Sequence, residues 1–294
     1  MTANTKFSII IPTYNRADLI SDTLNSLKQQ QYENFEIIVV DDGSTDNTGE
    51  VVDAIQNDKV FYFKKENAER AAARNFGIRK ASGDYITFLD SDDILYPDAL
   101  SIANEVINNM KYPDFLHIGY ETGTKEKVSR KIDRLPDNDP LVLRDGNPLS
   151  CMGTFVKKEL TNSFVFNEDR QLTGSEDWEY WLRLAANFGL RTDNRVIGRL
   201  IEHDSRSVIN VSEDQLVKRK ELSLHYAFID KAVQQHYGPY RKRMEAFWNI
   251  YTALHLAMSK KKRLALKYLM TSFIQFPQVL FKRRFFSVIK KIIL

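Results

Sequence analysis

Two clusters of acidic residues stand directly behind short apolar runs in this chain. Asp41-Asp42-Gly43-Ser44 follows Glu36 to Val40, and Asp90-Ser91-Asp92-Asp93 follows Tyr85 to Leu89. Carboxylates so placed suit a hard divalent cation, since Mg²⁺ or Mn²⁺ takes one or two of them and completes its octahedron with phosphate oxygens and water. Asp90 and Asp92, separated by Ser91, offer two such ligands. The glycines narrow the choice further. The first in the chain is Gly43, so neither a G-x-G-x-x-G dinucleotide loop nor a P-loop follows the first apolar run, Phe7 to Ile11. A diphosphate bound here must be held another way.

The elements that must carry these clusters follow from periodicity. Apolar runs of strand length at Phe7 to Ile11, Glu36 to Val40, Val60 to Phe63, Tyr85 to Leu89 and Phe115 to Ile118 alternate with helical spacing at Ala17 to Gln30, Asn47 to Ile55, Ala71 to Ala81 and Pro97 to Met110. That βαβα order predicts an α/β fold, a mostly parallel central sheet flanked by helices. Asp46 and Pro97 serve as helix-start signals, one as a cap and one as a first-turn proline. In an open parallel sheet ligands bind beyond the carboxyl ends of the strands. The chain there reads Pro12-Thr13-Tyr14-Asn15, Asp41-Asp42-Gly43-Ser44 and Asp90-Ser91-Asp92-Asp93, and three polar clusters at one end of one sheet locate a site.

Beyond Glu121 the periodicity fails as far as Ser150, with Pro136, Asp137, Asn138, Asp139, Pro140, Gly146, Asn147 and Pro148 marking turns. This stretch reads as an irregular connection, a mobile lid on the acceptor side of the site. Order returns with a strand at Thr154 to Val156, a helix from Glu176 to Asn187 and a strand at Val196 to Ile201; after Glu213 the chain is helical almost to its end.

A hydrophobic fraction of 43% and a charged fraction of 28% are ordinary for a globular protein and exclude disordered and collagen-like classes. The single cysteine, Cys151, rules out an intrachain disulfide framework and a thiolate metal cluster. No signal-peptide pattern precedes Phe7, and no apolar run approaches the roughly 18 residues that span a bilayer. These features predict a cytoplasmic protein, or one peripheral at the inner face of the cell membrane. The net charge of +3 conceals an asymmetry, because no Asp or Glu follows Glu245 while ten Lys and Arg do. An acidic body with a basic tail directs the tail toward an anionic surface. Within residues 277–294, Phe281, Phe285, Val288, Ile289 and Ile292 recur at steps of three and four, the spacing of an amphipathic helix that either lies in a membrane interface or packs on the helical stretch Ala253 to Phe276.

The motifs together resemble the family 2 glycosyltransferases of the GT-A fold, many of which build bacterial polysaccharides. The likeness runs through Ser8-Ile9-Ile10-Ile11-Pro12-Thr13-Tyr14-Asn15, Val39-Val40-Asp41-Asp42-Gly43-Ser44-Thr45-Asp46, Ala73-Arg74-Asn75-Phe76-Gly77-Ile78 and Gly83-Asp84-Tyr85-Ile86-Thr87-Phe88-Leu89-Asp90-Ser91-Asp92-Asp93. It resumes at Glu176-Asp177-Trp178-Glu179-Tyr180-Trp181-Leu182-Arg183-Leu184. The resemblance implies a GT-A catalytic domain over residues 1–210, with a nucleotide-binding half at about 1–120 and an acceptor half at about 121–210. A basic helical region at 211–294 follows.

By that resemblance Pro12, Thr13 and Tyr14 line the nucleoside pocket together with Asp41, and Asp42 accepts a hydrogen bond from uracil if the donor is a UDP-sugar. Asp92 is the principal metal ligand, Asp90 and Ser91 lie toward ribose or metal, and His203 approaches the metal or the diphosphate. Arg206 pairs with phosphate. Asp177 is the catalytic base, with Glu176 next in line. The family often carries a glycine-containing stretch before Ala-Arg-Asn, whereas this chain has Asn67-Ala68-Glu69-Arg70-Ala71, so either Arg70 or Arg74 contacts the nucleotide. The expected partners are a nucleotide-sugar donor, a glycan or lipid-linked saccharide acceptor, and an anionic membrane surface, not nucleic acid. The expected reaction is an inverting, metal-assisted transfer by direct displacement.

Each residue also has a purely structural use. Asp41 and Asp42 can end a strand in a turn, Asp90 to Asp93 can cap a helix, and Glu176 with Asp177 suit the first turn of one. His203 can be a satisfied loop histidine. Trp178 and Trp181, three apart, suit either core packing or a sugar-stacking face. A sugar-phosphate nucleotidylyltransferase would combine nucleotide and Mg²⁺ too, but needs a basic glycine-rich loop where this chain has Pro12-Thr13-Tyr14-Asn15. A non-catalytic scaffold would have no use for Asp90, Asp92 and Asp177 together.

Overall fold

The computed structural model describes residues 4–203 and 212–293, which fall into two units. The first comprises Met1–Asp139, Leu149–Arg170 and Phe188–His203; the second comprises Pro140–Pro148, Gln171–Asn187 and Asp204–Leu294. The sequence places one boundary at 210, but this division crosses it, because the helix that begins at Glu176 groups with the C-terminal helices.

In the first unit β1 (Phe7–Thr13), α1 (Ile20–Lys28), β2 (Phe35–Asp41), α2 (Thr48–Asp53), β3 (Val60–Lys64), α3 (Glu69–Lys80) and β4 (Tyr85–Phe88) alternate as the periodicity predicts. Then come β5 (Ile94–Leu95), α4 (Ala99–Asn109), β6 (Phe115–Gly123), β7 (Val128–Ile132), β8 (Thr154–Lys157) and β9 (Arg191–Ile201). The sheet order is β3-β2-β1-β4-β8-β6-β9-β5, with β7 paired to β6. The nucleotide-side strands β3, β2, β1 and β4 are mutually parallel. Every residue of β1, β2 and β4 is buried, the near-continuous apolar run that a strand covered on both faces requires. Beyond β4 the sheet becomes mixed, since β8 pairs antiparallel with both β4 and β6. The parallel expectation thus describes the half built from βαβ units.

The stretch from Glu121 to Ser150 is more regular than its sequence. β6 runs on to Gly123 and β7 returns antiparallel to it, so a hairpin occupies part of the expected irregular connection. Four of the five residues of β7 are exposed. An edge strand paired on one side needs no apolar alternation, which hid it from a periodicity reading.

The second unit holds α5 (Glu176–Phe188, all but its last residue), α6 (Glu213–Ala227), α7 (Lys231–Tyr237), α8 (Arg241–Met258), α9 (Lys262–Gln275) and α10 (Arg283–Ile293), with a short 3₁₀ turn at Pro140–Asp145. Its core gathers Ala246, Phe247, Ile250 and Ala253 of α8, Leu269 of α9, Val279, and Phe285 and Val288 of α10. Of the two uses open to the amphipathic stripe of the tail, most of it takes the second, packing on the preceding helices. Phe285 and Val288 are buried, and Ile289 and Ile292 pack against the same cluster, because α8 and α9 offer an apolar surface close at hand. Only Phe281 of that stripe stands out, at 86% exposure. Asp145 fixes the arrangement through two hydrogen bonds from Arg243, of 2.5 and 2.6 Å, and one from Lys282 of 3.1 Å. Among the described residues no helix is long and apolar enough to cross a membrane.

Candidate active site

The carboxyl ends of β1 and β2 are knitted into one surface. Thr13 and Asp41 are register partners, and the Asp42 amide donates to the Thr13 carbonyl at 2.8 Å. The turn after β2 needs Gly43, which sits at φ +85°, where a Cβ would lie 3.0 Å from the Asn67 amide nitrogen. Asp41 is fully buried and makes this turn: its Oδ1 accepts from the Ser44 amide at 2.7 Å, and its Oδ2 accepts from the Tyr62 hydroxyl at 2.5 Å. Burial and that hydrogen bond push the Tyr62 phenol well above its ordinary range. Asp42 is buried too, and its Oδ1 accepts from Lys65 Nζ at 2.6 Å and from the Ala68 amide at 3.0 Å. Pro12 and Thr13 are buried beside it, whereas Tyr14 is exposed.

Past β4 the second acidic cluster closes on itself. Asp90, Asp92 and Asp93 each bring a carboxylate oxygen within 4.8 Å of the others. They are positioned by α3 and by the end of β9 with the residues just after it. Arg74 of α3, 1% exposed, donates to Asp90 Oδ1 at 2.8 Å; Asp93 Oδ1 accepts from the Ile201 amide at the end of β9 at 2.9 Å. His203 Nε2 lies 2.9 Å from Asp92 Oδ2, so the fold unites two predicted metal-site residues that are 111 positions apart. Three carboxylates this close repel one another unless positive charge joins them. Their hard oxygens fit Mg²⁺ or Mn²⁺. Arg74 is buried against Asp90 and over the Phe166 ring, 5.4 Å from its centroid, while Arg70 is half-buried near the start of the same helix. Ser91 is buried, and Arg206 lies outside the described residues.

The acids of α5 belong to the second unit and divide their work. Glu176 is buried and folds back on the chain before it, its Oε2 accepting from the Gly174 and Ser175 amides at 2.6 and 3.1 Å. Asp177 Oδ1 accepts from the Trp178 amide at 2.7 Å, and its Oδ2 from the Asn147 side-chain amide at 2.8 Å. Asp177 lines a cleft of about 190 Å³. Trp181 is fully buried, and Trp178 is 3% exposed with its indole N–H donated to the Leu143 carbonyl at 3.0 Å, so both tryptophans pack into the unit and Trp178 also reaches the cleft wall.

Asp93 joins the cluster although the motif marks only Asp90 and Asp92 as ligands; its place beside Asp92 is the available signal. Tyr62, Lys65 and Asn147 are unmarked in the sequence, since their types and surroundings carry no local sign of what they hold.

The family model described as "Glycosyl transferase family 2" matches residues 8–157, just over half of the chain. The chain belongs to that family. The matched stretch includes Asp42 and Asp90 to Asp93 and ends before Asp177 and His203. An uncharacterized glycosyltransferase of Rickettsia felis is 43% identical over 119 residues, 40% of this chain and 20% of that protein. The match thus spans about a fifth of that relative's length. Among solved structures, S. aureus TarS 1-349 in complex with UDP-GlcNAc aligns with a TM-score of 0.65 at 20% identity, over 93% of this chain and 92% of that one. The mannosyltransferase PcManGT from Pyrobaculum calidifontis, in complex with GDP-Man and Mn²⁺, aligns with a TM-score of 0.61 at 18% identity, over 99% and 87%. These likenesses establish a GT-A-like α/β fold for this family 2 chain.

Proposed function

We propose that this chain is an inverting glycosyltransferase that moves a sugar from a nucleotide-sugar, by preference a UDP-sugar, to a hydroxyl of a glycan or lipid-linked acceptor in surface polysaccharide synthesis. The observation that carries the reading is the trio Asp90, Asp92 and Asp93, with His203 on Asp92, beyond the parallel strands that also present Asp42. The nucleotide-sugar complexes of TarS and PcManGT support it. In this reading Pro12, Thr13, Tyr14 and Asp42 receive the nucleoside, and Asp41 shapes the turn that presents Asp42. Of the two arginines of α3, Arg70 would approach the diphosphate, since Arg74 pairs with Asp90, and Arg206 would pair with phosphate.

Asp90 and Asp92, with Asp93 and His203 beside them, would hold Mg²⁺ or Mn²⁺, which supplies positive charge against the diphosphate. The acceptor oxygen bonds to the anomeric carbon as the bond from that carbon to the diphosphate oxygen breaks. The hydroxyl proton passes to the Asp177 carboxylate. One displacement inverts the anomeric configuration. Glu176 is the positioning residue that holds the loop before Asp177. A panel of nucleotide-sugars offered with Mg²⁺ or Mn²⁺ tests the reading: release of UDP from one UDP-sugar is expected, and inertness toward the whole panel would overturn it.

The basic tail would meet an anionic lipid surface through its outward residues rather than through the stripe read from sequence. Phe281, Phe286 and Ile293 are exposed among Lys282, Arg283, Lys290 and Lys291, and each base near such a surface contributes about 1 kcal/mol. Sedimentation with phosphatidylserine vesicles at low salt, diminished at high salt and in a Phe281→Ser/Phe286→Ser variant, is expected. Equal recovery in the supernatant with and without vesicles would remove the membrane partner.

A further inference from the structure

Where the turn from α8 to α9 meets α10, the second unit carries a hollow of about 720 Å³, and among the described residues that line it none is acidic. Lys260 and Lys262 enter it from the turn, Lys290 and Lys291 from the last turn of α10. Packing makes this meeting. Ala257, near the end of α8, is buried with Leu256 and Ala265, and Ile292 packs on the same cluster, so the apolar contact that docks α10 also brings its two lysines to the turn. The backbone of the turn is fixed as well. The Lys260 amide donates to the Ala257 carbonyl at 3.1 Å and the Lys261 amide to the Leu256 carbonyl at 2.8 Å, the pair of bonds that closes a helix through a left-handed residue. That residue is Lys260, at φ +60°, a conformation that glycine adopts without penalty and lysine does not.

We infer that this hollow binds a phosphate group carrying at least two negative charges, a phosphomonoester or a diphosphate, borne by a membrane lipid or by a soluble ester. The site is independent of the donor and acceptor chemistry proposed above; where the bearer is a lipid, it adds a head-group preference to the membrane reading. Like charges from two elements converge here with nothing to neutralise them. None of the four lysines pairs with a described acid, and no Asp or Glu follows Glu245, whereas a solvated face ordinarily intersperses both signs. Gathering four cations round one hollow costs free energy that a bound polyanion offsets. Their ammoniums are compact point charges with rotatable donors, suited to the scattered oxygens of a multiply charged phosphate, and the Ser287 hydroxyl adds a neutral donor. A phosphodiester or a carboxylate brings only one charge to match them. The volume lies within the roughly 300–1,000 Å³ of small-molecule sites, more than a single small ion fills. Keeping lysine in a left-handed position where glycine would be free of cost puts a side chain to use in the hollow. The outer face of α9, which begins at Lys262, shows Leu266, Met270 and Ile274 exposed at steps of four, an apolar stripe beside the bases that favours a lipid as the bearer.

Isothermal titration of the full-length protein with inorganic pyrophosphate and with dimethyl phosphate, in metal-free buffer, reads the site. Pyrophosphate is expected to bind at least tenfold more tightly than the singly charged diester. Lys290→Gln/Lys291→Gln should weaken it at least tenfold, whereas Arg263→Gln/Lys267→Gln, which removes the same charge from α9 outside the hollow, should weaken it less than threefold. Lys260→Gly should melt at a higher temperature than the wild type and yet bind pyrophosphate less tightly. If that variant loses stability and binding together, Lys260 serves the fold, which overturns the inference. Flotation with phosphatidylcholine vesicles containing phosphatidic acid or phosphatidylserine, matched in surface charge, finds the bearer. At least a fivefold preference for phosphatidic acid, lost in Lys290→Gln/Lys291→Gln, assigns the site to a lipid; pyrophosphate binding without that preference assigns it to a soluble ester. Pyrophosphate binding no tighter than dimethyl phosphate, equal weakening by the two double variants, or undiminished binding in Lys260→Gly would overturn the inference, since each marks a diffuse basic surface. Attachment to phosphatidylserine vesicles that persists beside such a result leaves the membrane reading standing and removes only the site.

Discussion

The acids at the strand ends and the acid of α5 lie in different surroundings, and the contrast follows the division into units. In the first unit the acids crowd together at the strand ends: Asp41 is held by Ser44 and Tyr62, Asp42 by Lys65 and Ala68, Asp90 by Arg74, Asp92 by His203 and Asp93 by Ile201. A charged ligand needs such fixed geometry, because like charges held together without a partner are costly. In the second unit Asp177 is held by the amide of Asn147 and the backbone of Trp178, in a wall of aromatic rings. On the proposed reading this is the carboxylate that takes the proton of the acceptor hydroxyl. In the same reading one region binds the donor and the other carries the reaction.

The largest expected effect strikes the second region alone. Asp177→Asn keeps the shape and the contact with Asn147 but cannot take a proton, so kcat should fall by about 10² or more while UDP affinity stays at the wild-type value. Steady-state transfer and isothermal titration of UDP check it together. A parallel loss of affinity and rate would erase the contrast and make Asp177 part of the binding machinery.

Acid stability separates the units by pH window. His117 of β6 is wholly buried in the first unit, and burial drives its imidazole down to about 3. The folded chain keeps it neutral while the unfolded chain protonates it near 6.5, so stability should decline as pH falls from 6.5 toward 3, by up to roughly 1.4 kcal/mol per pH unit. His117→Asn should flatten that slope in urea unfolding midpoints taken from pH 7 to 4. In the second unit, burial would raise the Asp145 carboxyl, but Arg243 and Lys282 outweigh it and hold it below the ordinary 3.8. That contribution is present above 3.8 and lost only as pH falls further. Asp145→Asn should therefore cost stability at neutral pH, about 1–3 kcal/mol, and leave the slope between pH 6.5 and 4 unchanged.

The first unit was far more legible in the sequence than the second, for a physical reason. Where strands are covered on both faces, apolar runs and the polar clusters behind them share one short segment, so Asp42, Asp90 and Asp92 could be read beside the strands that position them. The family resemblance places His203 toward the metal or the diphosphate, and in the structure its ring lies 2.9 Å from Asp92 Oδ2. The aromatic cleft has no such segment, because Asn147, Asp177, Trp248, Tyr251 and Arg284 come from four separate stretches. Helical periodicity announced an apolar face on α10 through Phe285 and Val288 but could not say what covers it. The answer, Phe247 and Ile250 of α8 among others, depends on packing alone. Likewise α3 carried two candidate arginines, and only their burial tells Arg74 from Arg70.

The central claim, that the Asp90-Asp92-Asp93 cluster binds a nucleoside diphosphate together with a divalent ion, is tested most directly by titrating UDP into wild type and Asp92→Ala, each with Mn²⁺ and with excess chelator. The wild type should bind at least tenfold more tightly with Mn²⁺ than with chelator, and Asp92→Ala should lose that difference, since a missing carboxylate leaves the diphosphate charge uncompensated. Equal UDP affinity in all four samples would contradict the account.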